Sequence, residues 1–217
     1  KITAKTKAIV PVHFAGSACD MDAIMALAEK YGLKVIEDCA HAIEGRYKGK
    51  PLGSFGDFAC YSFYVTKNIT TGEGGMVVAK DPADSTLVRE LSLHGMSKDA
   101  WNRFGSGGYK HYAVAQAGFK YNMMDIQAAI GIHQLKRIDK SLTLRQKVWR
   151  RYQDAFSALP ITLPFEIAAQ NKHACHLYTI LIDEKMTGLS RDECLDRLTG
   201  MGIGVGVHYL SIPEHPY

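Results

Sequence analysis

The sequence lacks the features of a membrane protein, of a disulfide-rich protein and of a nucleic-acid-binding protein. No apolar run approaches the roughly 20 residues needed to cross a bilayer, so we expect no membrane partner. The five cysteines are odd in number and show no paired spacing, which predicts reduced thiols and a cytoplasmic protein. Lys and Arg total 26 against 22 Asp and Glu, a net charge of +4 without long runs of one sign. This balance predicts no nucleic-acid partner.

The sequence does contain enough apolar residues, 47% of 217, for a sizeable core. Residues 8–14 are apolar with little alternation, as in a buried parallel strand. Asp20 stands at a helix start, Gly32 follows the helix end, and residues 34–37 form the next apolar strand. This order predicts an α/β fold with a mostly parallel sheet, in which ligands lie beyond the carboxyl ends of the strands.

The rest of the chain continues to alternate between strand and helix patterns. We predict a large domain over residues 1–140 and a smaller α/β C-terminal domain over residues 141–217. Because the sequence begins at Lys1 and stops at Tyr217 beside an ordered segment, we expect a fragment that lacks part of both domains. The predicted strands are 58–63, 75–79, 176–182 and 203–207, and the predicted helices are 82–93, 124–138, 142–159 and 190–201. Residues 45–56 are predicted to be a loop or a small hairpin. Residues 94–118 are predicted to be a long loop, in which Trp101 could face a ligand or a partner.

Two residues, one at a strand end and one in a loop between strands, are candidates for chemistry. Asp38 directly follows the strand at 34–37, and a buried carboxylate there needs a cationic partner such as a protonated pyridine nitrogen; the alternative is a helix N-cap. Lys67 lies between two strands in SFYVTKNITTGEGG. Burial or nearby positive charge turns a lysine into a nucleophile, whereas the alternative is an ordinary exposed loop lysine.

Other polar residues nearby could complete a site. His41 could stack on an aromatic cofactor or bond its phenolic oxygen, or it could be a structural histidine. Ser62 could offer its hydroxyl to a phosphate. His173, Cys175 and His176 resemble metal ligands but lack the rest of a tetrahedral set, so we predict no metal site.

Three blocks, VIEDCAHA, SFYVTKN with TTGEGGMV, and GFKYNMMDIQAAIG, together resemble the sugar-nucleotide aminotransferases of the DegT/DnrJ/EryC1/StrS family in order and spacing. The resemblance covers essentially the whole chain. It implies a fold-type I pyridoxal-phosphate enzyme with a three-layer αβα large domain. It also implies that Lys67 forms the Schiff base with the cofactor, that Asp38 pairs with the pyridinium nitrogen, that His41 lies against the cofactor and that Ser62 contacts its phosphate.

The third block adds a subunit interface and one departure from the family pattern. Asn122 resembles an asparagine that reaches the phosphate of the neighbouring subunit, which implies a homodimer with the active site at its interface. Many family members read G-x-N-x-R-M, whereas GFKYNM places Lys120 and Asn122 at those two slots. This version resembles the branch that makes 4-amino sugars, and either residue could contact the phosphate. His208 and His215 match positions near the sugar nucleotide in related enzymes.

The implied activity is transfer of an amino group from glutamate to a nucleotide-linked 4-keto sugar, in amino-sugar biosynthesis for cell-surface polysaccharide. A 3-keto-sugar aminotransferase and a catalytically silent regulatory protein of the same fold are the alternatives. A dinucleotide-binding oxidoreductase would suit the βαβ opening but would need a glycine fingerprint that the chain lacks. Lys67 argues against the branch that dehydrates the sugar, which has histidine there. We also expect these 217 residues alone to bind the cofactor poorly.

Overall fold

A four-stranded sheet forms the centre of the computed structural model, which describes residues 1–96 and 113–217. Loop residues 97–112, with Trp101, lie outside the described residues. In chain order the strands are β1 (Ala8–Ile9), β2 (Lys34–Asp38), β3 (Arg46–Tyr47), β4 (Lys50–Pro51), β5 (Phe58–Ser62) and β6 (Gly75–Ala79), and the helices are α1 (Met21–Tyr31), α2 (Pro82–Ser92), α3 (Asp125–Lys136), α4 (Ile138–Phe156), α5 (Glu184–Thr187) and α6 (Arg191–Gly200).

The sheet has the order β1-β2-β5-β6, and its first three strands are parallel. Strand β6 runs antiparallel to β5, and β3 and β4 form a separate two-stranded hairpin. The prediction of an α/β fold with a mostly parallel sheet is therefore confirmed. The hairpin lies within the segment 45–56, where the sequence predicts a turn-rich loop or hairpin.

The βαβ opening is built as its local signals predict. The Asp20 carboxylate accepts the Ala23 N–H at 3.2 Å and caps α1, while Gly32 ends the helix with a φ of 63°, which suits a residue without a Cβ. Helix α1 contacts both β1 and β2. Their contact buries Met21 and Val35 completely, and the hydrophobic effect of this burial holds the helix to the sheet.

The described residues divide into two compact units. One unit contains Lys1–Val148 and Glu166–Leu177, and the other contains Trp149–Phe165 and Tyr178–Tyr217. The boundary that the sequence suggests at residue 140 stays a prediction. Within the described ranges, no helix combines the length and apolar character that a bilayer crossing requires.

Two strand predictions are wrong and a third is too long, because apolar sequence alone does not determine backbone pairing. The first strand is shorter than residues 8–14, since Pro11 has no N–H to donate and only Val12 forms a further bridge, to Asp38. The predicted strands 176–182 and 203–207 are wrong. In the first, a single bridge joins Leu181 to Thr162, and the second is exposed coil without a strand partner in the described part of the chain.

Candidate active site

Two parallel strands bring the predicted site residues to one edge of the sheet. Asp38 is the last residue of β2 and pairs in register with Cys60 of β5. Two residues later Ser62 ends β5, and the chain then enters the loop that carries Lys67. Because the carboxyl ends of parallel neighbours meet at the same edge, Asp38, Ser62 and the start of the Lys67 loop lie together, where α/β proteins bind ligands.

Asp38 is partly buried and its backbone is firmly held. Its N–H donates to the Pro11 carbonyl at 2.9 Å, and its carbonyl accepts the His13 N–H at 3.1 Å. The side-chain Oδ1 accepts the Ala40 N–H at 3.0 Å, a local turn contact that uses one oxygen of the carboxylate. No lysine, arginine or histidine of the described residues forms an ion pair with Asp38. The carboxylate thus retains capacity for a cationic ligand.

Lys67 lies in a loop that is closed at its base by Phe63. The Phe63 N–H donates to the Gly74 carbonyl at 2.8 Å, and the Phe63 carbonyl accepts the Thr71 N–H at 2.9 Å. Inside the loop, the Lys67 N–H donates to the Tyr64 carbonyl at 2.9 Å, and the residue is partly buried. The loop is therefore ordered by the protein itself, and Lys67 is not a freely exposed residue.

The side chains of Ser62 and His41 each accept a hydrogen bond from a backbone N–H group, which restricts where their protons can point. The Ser62 hydroxyl oxygen accepts the Tyr64 N–H at 3.3 Å, so its own proton can be donated elsewhere. His41 is buried, and its Nδ1 accepts the Ala15 N–H at 3.2 Å. A ring nitrogen that accepts carries no proton, so the imidazole of His41 has a proton on Nε2.

The third sequence block lies next to the end of the Lys67 loop. Gln127 in α3 donates from Nε2 to the Glu73 carbonyl at 2.8 Å. Just before this helix, the Lys120 ammonium contacts the Asn122 amide oxygen, and Asn122 is partly buried. In the described residues, neither Lys120 nor Asn122 forms a hydrogen bond or ion pair with Asp38 or Lys67. The structure therefore does not connect this pair directly to the other predicted site residues.

The two histidines near the end of the chain are in a different environment. His208 and His215 belong to the second unit, and both are exposed. Their proposed contact with a sugar nucleotide stays a prediction.

A cluster that sequence reasoning missed lies beside Asp38, on the other face of β2. Glu37, His13 and Cys39 are buried, and their potential ligand atoms lie within 4.8 Å of one another. Glu37 bonds the His13 Nε2 at 3.1 Å and accepts three backbone N–H groups, each at 2.8 Å, from Gly53, Phe55 and Gly56. These bonds account for the carboxylate without a metal ion.

Hydrogen bonding also decides the ionisation of Glu37. Burial raises the pKa of this carboxyl, but the hydrogen bonds from His13 and from the three backbone N–H groups outweigh burial and hold the pKa below its usual value. The ionised carboxylate therefore fastens the turn at residues 53–56 to the sheet. This is a structural role, since all four hydrogen-bond partners of the carboxylate belong to the protein itself.

The residues that resemble metal ligands, His173, Cys175 and His176, have protein partners instead. The His173 Nδ1 accepts the Cys175 N–H at 2.8 Å, and burial lowers the pKa of His173 to about 4. The His176 Nδ1 bonds the amide oxygen of Asn68 at 2.8 Å. Asn68 follows Lys67 directly, yet its long-range contacts carry no local sequence signal, so sequence reasoning missed it.

Comparison with known proteins places the chain in a family. The sequence pattern of the DegT/DnrJ/EryC1/StrS aminotransferase family matches residues 1–217. The chain belongs to this aminotransferase family. The resemblance inferred from the three sequence blocks is thereby confirmed.

Relatives within the DegT/DnrJ/EryC1/StrS family include both curated and solved proteins. The spore coat polysaccharide biosynthesis protein SpsC of Bacillus subtilis is 48% identical over 218 residues, which cover 100% of this chain and 56% of SpsC. Helicobacter pylori PseC, an aminotransferase involved in the biosynthesis of pseudoaminic acid, superposes with a TM-score of 0.90 at 30% identity, covering 99% of this chain and 56% of PseC. The chain thus spans about half the length of these relatives.

A third relative has been solved with cofactor. Spr1654 from Streptococcus pneumoniae, assigned as a sugar aminotransferase, superposes in its PMP form with a TM-score of 0.88 at 32% identity, over 99% of this chain and 59% of that protein. A PLP form of Spr1654 also matches, with a TM-score of 0.86. These superpositions confirm the predicted fold-type I aminotransferase architecture.

Proposed function

We propose that this protein is a pyridoxal-phosphate-dependent aminotransferase that converts a nucleotide-linked 4-keto sugar into the 4-amino sugar, with glutamate as the amino donor. The observation that carries the proposal is the shared sheet edge of β2 and β5. There, a carboxylate without a cationic partner in the described residues, Asp38, lies at the same edge as the ordered loop that holds Lys67.

The residues at this edge fit the chemical groups of pyridoxal phosphate. The Asp38 carboxylate would hold the protonated ring nitrogen, an ion pair that its present contacts leave room for. Ser62 would donate its hydroxyl proton to a phosphate oxygen, since its oxygen already accepts from the Tyr64 N–H. Lys67 would bind the aldehyde, and His41 would lie against the ring. Asn122 or Lys120 would serve the phosphate in a neighbouring subunit.

The chain's own groups would then control proton movement. When bound, pyridoxal phosphate supplies an electron-poor ring that stabilises negative charge on the carbon beside the amino nitrogen. The Lys67 amine, once displaced by the amino donor, would accept a proton from that carbon and return it at another position. Asp38 would keep the ring nitrogen protonated throughout, and the ordered loop from Phe63 to Thr71 would hold the Lys67 backbone in place.

The relatives support the substrate class and a role in amino-sugar biosynthesis for cell-surface polysaccharide. SpsC is named for spore coat polysaccharide biosynthesis, and PseC is an aminotransferase for pseudoaminic acid biosynthesis. His208 and His215 would contact the nucleotide-sugar in this proposal. The five cysteines, all of which lie in the described residues, are free thiols, which suits a cytoplasmic enzyme.

We also propose a homodimer with the active site at its interface. Helix α3 begins at Asp125, three residues after Asn122. Its apolar side chains Ile126, Ile132 and Leu135 are exposed by 73%, 57% and 56%. Exposed apolar surface of this kind is typical of protein–protein contacts. A second subunit covering α3 would bring Asn122 towards a cofactor phosphate.

The test uses the full-length protein loaded with pyridoxal phosphate and reduced with borohydride. Peptide mapping should find the cofactor on Lys67, and turnover with glutamate should be faster with a UDP- or dTDP-linked 4-keto sugar than with the 3-keto isomer. The exposed Lys80 provides a matched control, since its replacement by alanine should leave labelling and turnover unchanged. Labelling of a different lysine would disprove the assignment. Faster turnover of the 3-keto isomer would move the substrate to the alternative class.

A further inference from the structure

The residue after Lys67 has a side chain held from three sides. The Asn68 amide nitrogen donates to the Glu44 carboxylate at 2.6 Å and to the Ala174 carbonyl at 3.2 Å. Its amide oxygen contacts the His176 Nδ1 at 2.8 Å. These partners lie 24 to 108 residues away in sequence, so Asn68 ties the tip of the Lys67 loop to distant parts of the first unit.

The chemistry of these partners fixes both the amide orientation and the histidine tautomer. Glu44 and the Ala174 carbonyl only accept, so the Asn68 nitrogen must face them. The oxygen of Asn68 therefore faces His176, and an oxygen can only accept. The proton between them is consequently carried by the His176 Nδ1.

The charge in this network is compensated. Glu44 is buried at 7% exposure, and its carboxylate forms an ion pair with Arg145 of α4. Arg145 also donates from Nε to the Ala174 carbonyl at 3.3 Å. A buried carboxylate with a guanidinium partner can accept from Asn68 without leaving an uncompensated charge in the core.

The same network reaches the predicted cofactor residue His41. The rings of His41 and His176 lie 4.2 Å apart with a tilt of 32°. Around them, Ala15 and Cys175 adopt positive φ angles of 57° and 50°. The Ala15 N–H donates to His41, and its carbonyl accepts the His176 N–H at 3.0 Å. Non-glycine residues in this region of φ are strained, and such strain collects at functional sites.

We propose that Asn68 and His176 are positioning residues that fix the Lys67 loop relative to His41, through the hydrogen bond from His176 Nδ1 to Asn68 and its anchor on the Glu44–Arg145 pair. The benefit for catalysis rests on the proposed function, since it assumes that Lys67 binds the cofactor. The mechanical part, that Asn68 holds the loop, is independent of that assumption.

Hydrogen exchange of the full-length protein without cofactor tests the mechanical part. Asn68→Ala and His176→Leu should each speed exchange in peptides spanning residues 63–71 by about tenfold, the scale of a lost buried hydrogen bond. His176→Asn should keep exchange near that of the wild type, because its amide nitrogen occupies the same branch of the side chain and can donate to Asn68. Asn171→Ala, which removes an acceptor for the Lys48 N–H outside this network, is the matched control.

Two results would overturn the proposal. One is exchange in residues 63–71 that Asn68→Ala leaves at the rate of the Asn171→Ala control. The other is His176→Asn exchanging as fast as His176→Leu, a comparison that also decides the matter if Asn68→Ala does not fold. In the holoprotein, Asn68→Ala should shift the midpoint of the pH titration of cofactor absorbance, and an unchanged midpoint would contradict the catalytic part. Borohydride labelling of another lysine in the wild type would remove the proposed function while leaving the exchange result to stand separately.

Discussion

Strand β2 places two carboxylates side by side that meet opposite environments. Glu37 is completely buried and accepts hydrogen bonds from His13 and from three backbone N–H groups. Asp38, pointing to the other face, is partly buried and accepts one backbone N–H, from Ala40. The first carboxylate is satisfied by the protein and the second retains capacity for a ligand. The difference shows that the hydrogen-bond inventory, rather than residue type or burial alone, separates structural from candidate catalytic acids.

The largest loss of turnover is expected for Lys67, whose loop lies at the same sheet edge as Asp38. Lys67→Ala should reduce turnover by roughly 10²- to 10⁴-fold from the loss of proton transfer alone, and should abolish borohydride labelling. The free energy of unfolding should change little, because Lys67 contributes no ion pair among the described residues. Steady-state kinetics and a urea titration of the full-length protein check both points. A large loss of stability would show that Lys67, like Glu37, has a structural role.

Asp38→Asn should be the next most severe change for activity. The neutral amide removes the anion that keeps the ring nitrogen protonated, so kcat should fall by about 10²- to 10³-fold, the scale of losing one electrostatic contact in an active site. Kinetics with saturating cofactor measures this effect. Unchanged kcat would show that the remaining capacity of Asp38 is not used.

Glu37→Gln is the matched change on the other face of the strand. It should lower the free energy of unfolding by about 2 kcal/mol, because an amide cannot satisfy all of the donors that face the carboxylate. The kcat of the folded fraction should remain near that of the wild type. If Glu37→Gln instead reduced kcat as much as Asp38→Asn at equal stability, the distinction between the two acids would fail.

Acidification should remove the contribution of the Glu37 carboxylate to the free energy of unfolding. Hydrogen bonds hold the pKa of Glu37 in the folded protein below its ordinary value of 4.5. A carboxylate of this kind stabilises the fold fully above the unfolded pKa and loses that contribution as the pH falls through the folded pKa. The difference in unfolding free energy between the wild type and Glu37→Gln should therefore shrink towards acid pH. A difference that grew on acidification would contradict this assignment.

The smallest expected effect is at Ser62. Ser62→Ala should weaken cofactor binding by about tenfold, the value of one hydrogen bond to a charged phosphate. Equilibrium titration with pyridoxal phosphate measures it, and Ser54→Ala, in an exposed turn, is a control. Equal affinity in wild type and Ser62→Ala would place the phosphate elsewhere.

Local signals in the sequence predicted much of the fold. Asp20 and Gly32 bound α1 as predicted, because each of these signals acts within one helical turn. Short apolar runs also predicted the strands 34–37 and 58–63, which end within one residue of the observed ends at Asp38 and Ser62. What could not be predicted depends on distant partners. The run at 176–182 has strand-like composition but lacks a partner strand among the described residues.

In the candidate site, too, short sequence blocks identified some residues, whereas others depend on partners that are distant in sequence. Lys67, Asp38, His41 and Ser62 could be named from three sequence blocks, although their roles stay predictions. The hydrogen bonds of Asn68 could not be predicted, since its partners Ala174 and His176 lie more than 100 residues away in sequence. Glu37 precedes Asp38 directly in the sequence, but only the hydrogen bonds in the structure show that it belongs to the core.

A crystal structure of the full-length protein with pyridoxal phosphate would show whether Lys67 and Asp38 hold the cofactor. We predict continuous density between Lys67 Nζ and the cofactor aldehyde carbon, and an Asp38 carboxylate oxygen about 2.7–2.9 Å from the ring nitrogen. A cofactor bound to another lysine would disprove the role of Lys67, and an Asp38 carboxylate that does not reach the ring would disprove the role of Asp38.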